Sequence, residues 1–311
     1  TPTDRPADDE RWWDEAEPRP ASPPEAADEA TRPLSPSAAP ADEQIELGQP
    51  GAALQRVAQL HAAALRDIGQ VRQVNQDHVY TLVTSLPRQE SDMLVGLFVV
   101  ADGMGGHEGG EIASRIAVSV VTRYILGELV LPVLDDSFAA ALQPLVVEAV
   151  KEANRAIWDQ ARLQGSDMGT TCTAALIVGR TMYIGHVGDS RAYLMTNGQL
   201  QQLTGDHSAV GRLIQLGQLD PIDAREHPMR SQLYRTVGQQ ADVQVDLVQR
   251  PLGDASYLVL CSDGLWSMID DDVIQSIVAG AATPELGCQQ LVDAANAAGG
   301  DDNISVVIVS L

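Results

Sequence analysis

Acidic residues recur where apolar runs begin or end. VGLFVVADGMGGH (95–107) puts Asp102 just beyond one run, and SYLVLCSDGLW (256–266) does the same with Asp263. TMYIGHVGDSRAYL (181–194) sets Asp189 at an interruption between two runs, GGDDNISVVIVSL (299–311) sets Asp302 just before one, and Asp77 opens DHVYTLVT. Aspartate is poor in strand interiors, so each position needs a turn, a cap or a ligand to explain it. Any one alone reads as an ordinary Asp-Gly turn after a strand. Five together change the reading: carboxylates converging on one rim repel one another, and such a rim is expected to hold hard cations such as Mg2+ or Mn2+ through oxygen. Gly103, after Asp102, lets a backbone carbonyl face the same ion without a side chain in the way. Arg72 lies five residues before Asp77 in GQVRQVNQD (69–77), with a guanidinium able to grip phosphate oxygens in a bidentate fork.

Other phosphate chemistries fail on the same letters. A thiolate nucleophile in a Cys-x5-Arg cradle would need Arg at positions that hold Val178, Ser267 and Ala294. There is no G-x-x-x-x-G-K-[ST], and the only lysine is Lys151, inside a helical pattern. Asp189 is followed by Ser190 and Arg191, which is not the GDxHG of His/Asn-ligated binuclear sites. The glycine turn DGMGGHEGG as part of an ATP-binding module would need a helix with an Asn ligand upstream, where strand-like residues stand instead.

The elements that must carry these residues follow from periodicity. Runs rich in Val, Ile, Leu and Tyr read as strands at 54–65, 78–84, 94–101, 171–178, 181–195, 243–249, 256–261 and 304–311. Helical spacing runs from Ile112 to Gly127 and from Phe138 to Gly165, with Pro144 expected to bend the second helix near its start. Two more helices fit 270–279 and 284–298, where Asp270, Asp271 and Asp272 suit a helix N-terminus. Strands, a helix pair, strands and a second helix pair suggest sheets covered by helices rather than an alternating parallel fold.

Composition sets the outer bounds. Of 311 residues, 43 are acidic and 20 basic, a net charge of −23 that disfavours a nucleic-acid partner. The longest apolar stretch, Met93–Ala101, is far too short to span a bilayer, so no membrane segment is expected. The N-terminus offers neither a basic lead nor an apolar run, so no secretory signal is expected. Cys172, Cys261 and Cys288 read as buried reduced thiols of a cytoplasmic protein. Residues 1–50 hold 10 of the 17 prolines and 13 acids against four arginines, and are expected to be a disordered acidic tail, with Trp12 and Trp13 as a conceivable docking pair. Residues 51–311 then form one domain.

The strings GQVRQVNQD, ADGMGGHEGGEIAS, MGTTCTAAL, VGDSRAY, LTGDHS, CSDGLW and GGDDNIS, in this order, resemble the motif series of the type 2C metal-dependent serine/threonine protein phosphatases, in their bacterial form. The resemblance spans nearly all of residues 54–311. It implies an α+β, four-layer αββα sandwich: two antiparallel sheets flanked by helices, with a flap subdomain near 209–240. It also implies that Asp102, Asp263 and Asp302 hold a first Mn2+ or Mg2+. Asp102 would bridge to a second ion, which the Gly103 carbonyl contacts and Asp77 helps to bind or orient, and Asp189 with Asp263 would form a third site. The implied reaction is hydrolysis of phosphoserine or phosphothreonine in proteins by direct attack of a metal-activated water, with Arg72 holding the phosphoryl oxygens. The partners implied are phosphorylated proteins and a bacterial Ser/Thr kinase whose action it opposes, and a monomer is expected. The rival from another class is a noncatalytic regulator of the same fold.

This chain departs from many eukaryotic members at two places. Gln76 stands where they carry Glu, and Met104 where they carry a His suspected of protonating the leaving group; His107, three residues on, is a candidate substitute. His186 and His207 read as structural.

Overall fold

The structure, a computed structural model, describes residues 60–87, 92–105, 109–135, 137, 141–220, 223 and 227–311. The expected acidic tail with Trp12 and Trp13, and His107, lie outside the described residues. All described residues belong to one compact unit, Gln55–Leu311.

In chain order the elements are β1 (His61–Asp67), β2 (Asp77–Leu86), β3 (Met93–Met104), α1 (Gly109–Ile125), a π-helical segment (Leu126–Val130), α2 (Leu131–Leu134), α3 (Leu142–Gln164), β4 (Gly169–Thr170), β5 (Cys172–Val178), β6 (Thr181–Val187), β7 (Arg191–Thr196), β8 (Gln199–Gln202), α4 (Ala209–Gln215), β9 (Asp246–Pro251), β10 (Ala255–Cys261), α5 (Asp263–Trp266), α6 (Asp271–Gly280), α7 (Pro284–Ala297) and β11 (Ile304–Ser310). One sheet runs β1-β11-β10-β7-β8; the other runs β2-β3-β5-β6-β9, with β4 paired to the end of β3. The pairings are antiparallel.

Side-chain alternation shows why the central strands read as continuous apolar runs. Along β3, Leu97, Val99 and Ala101 pack with α1 and α3, while Phe98 and Val100 pack between the sheets. Along β11, Val306 and Ile308 pack against α6 and α7, while Val307 and Val309 meet the first set from the other side. Both faces of each sheet are therefore buried, and neither can be polar. The result is the expected four-layer αββα sandwich.

Three expectations are corrected. The run 181–195 is not one strand: β6 and β7 belong to different sheets, and Gly188-Asp189-Ser190 carries the chain across. Gly188 has φ +111°, and a Cβ there would lie 2.6 Å from Thr171 Cβ, so only glycine makes this crossing without strain. The first helix does not end at Gly127 but continues through the π-helical segment into α2. By length and composition Gly109–Leu134 could cross a bilayer, which a search for unbroken apolar runs passes over. Its apolar side is accounted for by burial of Ala113, Ala117, Val121, Ile125, Leu129 and Val133 in the core. The second helix starts at Leu142, so Pro144 sits in its first turn, where no N–H is needed, and not at a bend. Of the expected strand at 54–65, residues 54–59 lie outside the described residues. The short β4, β8, α4 and α5 carry no period of their own.

Candidate metal centre

Strand parity aims the carboxylates. Asp102 continues the inter-sheet side of β3 beyond Val100, and its cross-strand partner is Asp77 at the start of β2, which places both side chains on one face. In the other sheet, β10 ends and β11 begins at this same end of the sandwich, with Asp263 following β10 and Asp302 preceding β11. Asp189 stands on the crossing between the sheets. Five aspartates from five chain segments thus lie within one another's electrostatic reach at one end of the sandwich, and Arg72 joins them: its Nη2 donates to Asp302 Oδ2 at 2.6 Å.

Charge crowding at the mouth is severe. Burial, opposed by hydrogen bonding and reinforced by Asp263 and Asp302, pushes the Asp77 carboxyl up to about 7. Burial, with Asp77, Asp263 and Asp189 adding to it, holds Asp102 well above the usual carboxylate range. Asp189 is held well above that range by burial, Asp263 and Asp206, against the pull of Arg191. Asp263 is raised by burial and by Asp302, and Arg72 pulls the other way. Asp302 in turn raises the Arg72 guanidinium.

A donor set fit for divalent cations should contain carboxylate oxygens that the protein itself does not satisfy. Asp77 Oδ1 and Asp263 Oδ1 are such atoms, buried and without a hydrogen-bond partner. Buried polar atoms are otherwise almost always paired. Among the described residues no three His, Cys, Asp or Glu side chains stand in a ready metal-holding arrangement; several oxygens are instead turned to protein partners, Asp302 to Arg72 and Asp77 Oδ2 to Ser262 Oγ at 2.8 Å. Each of these oxygens keeps a second lone pair, so a hard cation can be taken up there without breaking those bonds. The residues fit Mg2+ or Mn2+.

Beneath the carboxylates lies a layer of hydroxyls and an indole that sequence reasoning missed as individual residues. Thr171 Oγ1 accepts from Asp102 N–H and meets Ser190 Oγ at 2.7 Å, so it ties the Asp102 strand to the Asp189 crossing. Thr170 Oγ1 donates to the Asp102 carbonyl. Trp266 Nε1 donates to the Asp189 carbonyl, and its ring lies 3.6 Å below the guanidinium of Arg191, which is bidentate to Asp206. All of these letters fall inside the recognised motifs, but their roles need tertiary contacts. Gly103 packs on the start of α1: a Cβ there would lie 2.0 Å from Gly110 O and 2.6 Å from Gln76 O. Gly103→Ala is therefore expected to destabilise the protein by about 1–3 kcal/mol, read as a lower urea midpoint. An unchanged midpoint would mean that β3 and α1 can part here.

His186 and His207 stand behind this wall. His186 bonds Thr173 Oγ1 and the Gly205 carbonyl, and His207 Nδ1 accepts from Gly188 N–H, which makes both structural as expected. Met104 ends β3. Asp270 occupies the N-cap position of α6 without a side-chain cap bond, with Asp271 and Asp272 in the first turn.

The mouth opens into a cleft of about 1120 Å³, whose lining includes Arg72, Asp263 and Asp302 together with Asp206, Ile214 and Arg230. Part of the 209–240 segment thus forms a cleft wall. The segment is closed on itself by Ala209 N–H to Gln232 O and tied to the rest of the fold by Tyr234 N–H to His207 O and by Val237 to Thr170.

Comparison with known proteins agrees with this geometry. Residues 70–290 match the family described as Protein phosphatase 2C. A serine/threonine phosphatase stp of Listeria monocytogenes is 33% identical over 252 residues, covering 80% of this chain and 95% of that protein. Protein phosphatase PhpP of Streptococcus pneumoniae is 34% identical, covering 81% of this chain and 98% of its own. The crystal structure of the Mycobacterium tuberculosis serine/threonine phosphatase PstP/Ppp superposes with a TM-score of 0.69 at 32% identity, covering 81% of this chain and 99% of that one. A catalytic domain of the serine/threonine protein phosphatase PstP, solved with two manganese ions, superposes with a TM-score of 0.67 at 30% identity, covering 81% and 98%. With the family match spanning most of the chain and the relatives covered almost end to end, the chain belongs to the protein phosphatase 2C family.

Proposed function

We propose that this chain is a metal-dependent protein serine/threonine phosphatase, and that the convergence of five aspartates with two unsatisfied buried carboxylate oxygens is the observation that carries the reading. Asp102, Asp263 and Asp302 would hold one Mn2+ or Mg2+. Asp102 and the Gly103 carbonyl, with Asp77 as ligand or orienting group, would hold a second, and Asp189 with Asp263 a third. When bound, these ions supply Lewis acidity and activate water for attack on phosphorus, so no nucleophilic Ser or Cys is required.

The chain's own residues do the rest. Arg72 is half exposed and spends one donor on Asp302, which steadies it at the mouth while its remaining N–H groups fork onto phosphoryl oxygens. Ser262 holds the Asp77 carboxylate by one oxygen, and Thr171 fixes the backbone from which Asp102 projects. His107, the candidate proton donor, lies outside the described residues, and water is the other source of a proton for the leaving alkoxide.

The cleft wall from 209–240 supports the reading of that segment as a flap shaping access for a phosphoprotein, within a catalytic domain of residues 51–311. A complete set of site residues from one chain supports a monomer. Three buried free thiols, Cys172, Cys261 and Cys288, support a reducing, cytoplasmic setting in which the enzyme opposes a Ser/Thr kinase. The test is hydrolysis of p-nitrophenyl phosphate and of a phosphothreonine peptide with Mn2+, with and without chelator. Both activities should vanish on chelation and return with added metal. Activity indifferent to chelation would remove the metal mechanism, and none in any metal would leave a regulator of the same fold.

A further inference from the structure

Arg72 rides on the loop between β1 and β2, and one side chain from the far end of the chain brackets that loop. Asn303, 4% exposed, donates its Nδ2 hydrogens to the carbonyls of Ile68 at 2.9 Å and Val74 at 3.0 Å. Its Oδ1 accepts from Gln76 N–H at 2.8 Å. Both donors of the amide and its acceptor are thereby engaged, which fixes its orientation. Arg72 lies inside the bracket, between Ile68 and Val74, with Val71, Arg72, Gln73 and Val74 exposed. Asn303 is also the residue after Asp302, and its own N–H donates to Asp302 Oδ1 at 2.8 Å. A single residue therefore joins the loop that presents the guanidinium to the carboxylate on which that guanidinium rests.

We propose that Asn303 is the positioning residue for Arg72, using its side-chain amide to hold the 68–76 loop in register with Asp302 so that the guanidinium meets the substrate phosphoryl group. The inference rests on the reading of Arg72 as the phosphate-binding group. It assigns Asn303 no contact with substrate or metal. Other ties run from Gln70 N–H to the Gly300 carbonyl and from Asn75 Nδ2 to the Asp67 carbonyl, while the Asn303 side chain reaches Ile68, Val74 and Gln76 at once.

The experiment uses the full chain with saturating Mn2+ and four variants: Arg72→Ala, Asn303→Ala, the double variant and Asn303→Asp. KM and kcat are measured for p-nitrophenyl phosphate, with the inhibition constant of inorganic phosphate as a direct reading of anion binding. Arg72→Ala should raise KM and weaken phosphate inhibition by about tenfold. Asn303→Ala should raise KM several-fold while kcat and the Mn2+ half-saturation stay within about twofold, and the double variant should be no worse than Arg72→Ala, because residues acting as one unit are not additive. Hydrogen exchange should quicken in peptides covering 68–76. Asn303→Asp keeps volume and acceptor but faces two carbonyls without donors, and should raise KM at least as much; if Asn303→Ala does not fold, this variant carries the same comparison.

Independent, multiplying effects in the double variant would overturn the bracket. So would an unchanged KM in Asn303→Ala or Asn303→Asp, or a loss confined to kcat and Mn2+ affinity, which would place Asn303 with Asp302 instead. An unchanged KM in Arg72→Ala itself would remove the phosphate role of Arg72 and the bracket with it.

Discussion

Asp102→Asn is expected to lose at least about 10³-fold in Mn2+-dependent hydrolysis of p-nitrophenyl phosphate and, in chelator, to unfold at a higher temperature than the parent. The two effects have one origin. Asp102 stands opposite Asp77 across β2 and β3 and within the field of Asp263 and Asp189. An amide at this position keeps the volume and can donate to a neighbouring carboxylate, but it carries no charge to hold a divalent cation. Loss of several kcal/mol of transition-state stabilisation from the ions corresponds to three or more decades in rate. Without metal, the same substitution removes one member of a crowded set of buried acids, and a gain of about 1–2 kcal/mol would raise Tm by roughly 2–8 °C for a domain of this size. Differential scanning fluorimetry with and without chelator, beside the aryl phosphate assay, checks both halves. A variant within tenfold of parent activity would take Asp102 out of the metal centre. One that melts lower in chelator would show that the carboxylates are not in mutual conflict.

That conflict was legible in the letters. Aspartate after an apolar strand is locally odd, and five such oddities in one chain required a common cause, which the convergence of Asp77, Asp102, Asp189, Asp263 and Asp302 supplies. The two helix pairs were equally legible, since Ile116 and Val120 or Ala149 and Ala153 repeat with the helical period because each covers a sheet. Other features were not. The residues 181–195 form one apolar run because β6 and β7 are each buried on both faces, and nothing local says that they lie in different sheets. Thr171, Ser262 and Asn303 are small polar residues that turn chemistry permits almost anywhere. Their work is done over sequence separations of 69, 185 and 235 residues, to Asp102, Asp77 and Ile68. Periodicity reports which face is buried; it carries no record of a hydrogen bond between distant segments.

A second large effect concerns pH, and its sign differs from that of most proteins. In chelator, the unfolding free energy should fall as pH rises from about 6.5 to 7.5, and Mn2+ should abolish that fall. The Asp77 carboxyl, pushed up from 3.8 to about 7 chiefly by burial, binds its proton more tightly folded than unfolded. Its contribution is therefore full below the unfolded value and is lost as pH rises through the folded one. Asp102, Asp189 and Asp263 shift in the same direction. Three histidines oppose them: burial lowers His186 to about 4, and His78 and His207 are lowered too, mainly by burial. Unfolded imidazoles bind more protons below about 6.5, so these groups favour folding as pH rises, but only up to that point. Above it the carboxylates act unopposed, each proton adding a slope of up to about 1.4 kcal/mol per pH unit. Divalent cations need the deprotonated form, so Mn2+ at about 100 times its dissociation constant should both remove the slope and add roughly 2.7 kcal/mol per site. Urea unfolding at pH 6.5, 7.0 and 7.5, in chelator and in Mn2+, reads the difference directly, and Asp77→Asn should make the chelator series less steep. A chelator series that is level or rising over this interval would mean that the buried aspartates are not the pH-sensitive element of the fold.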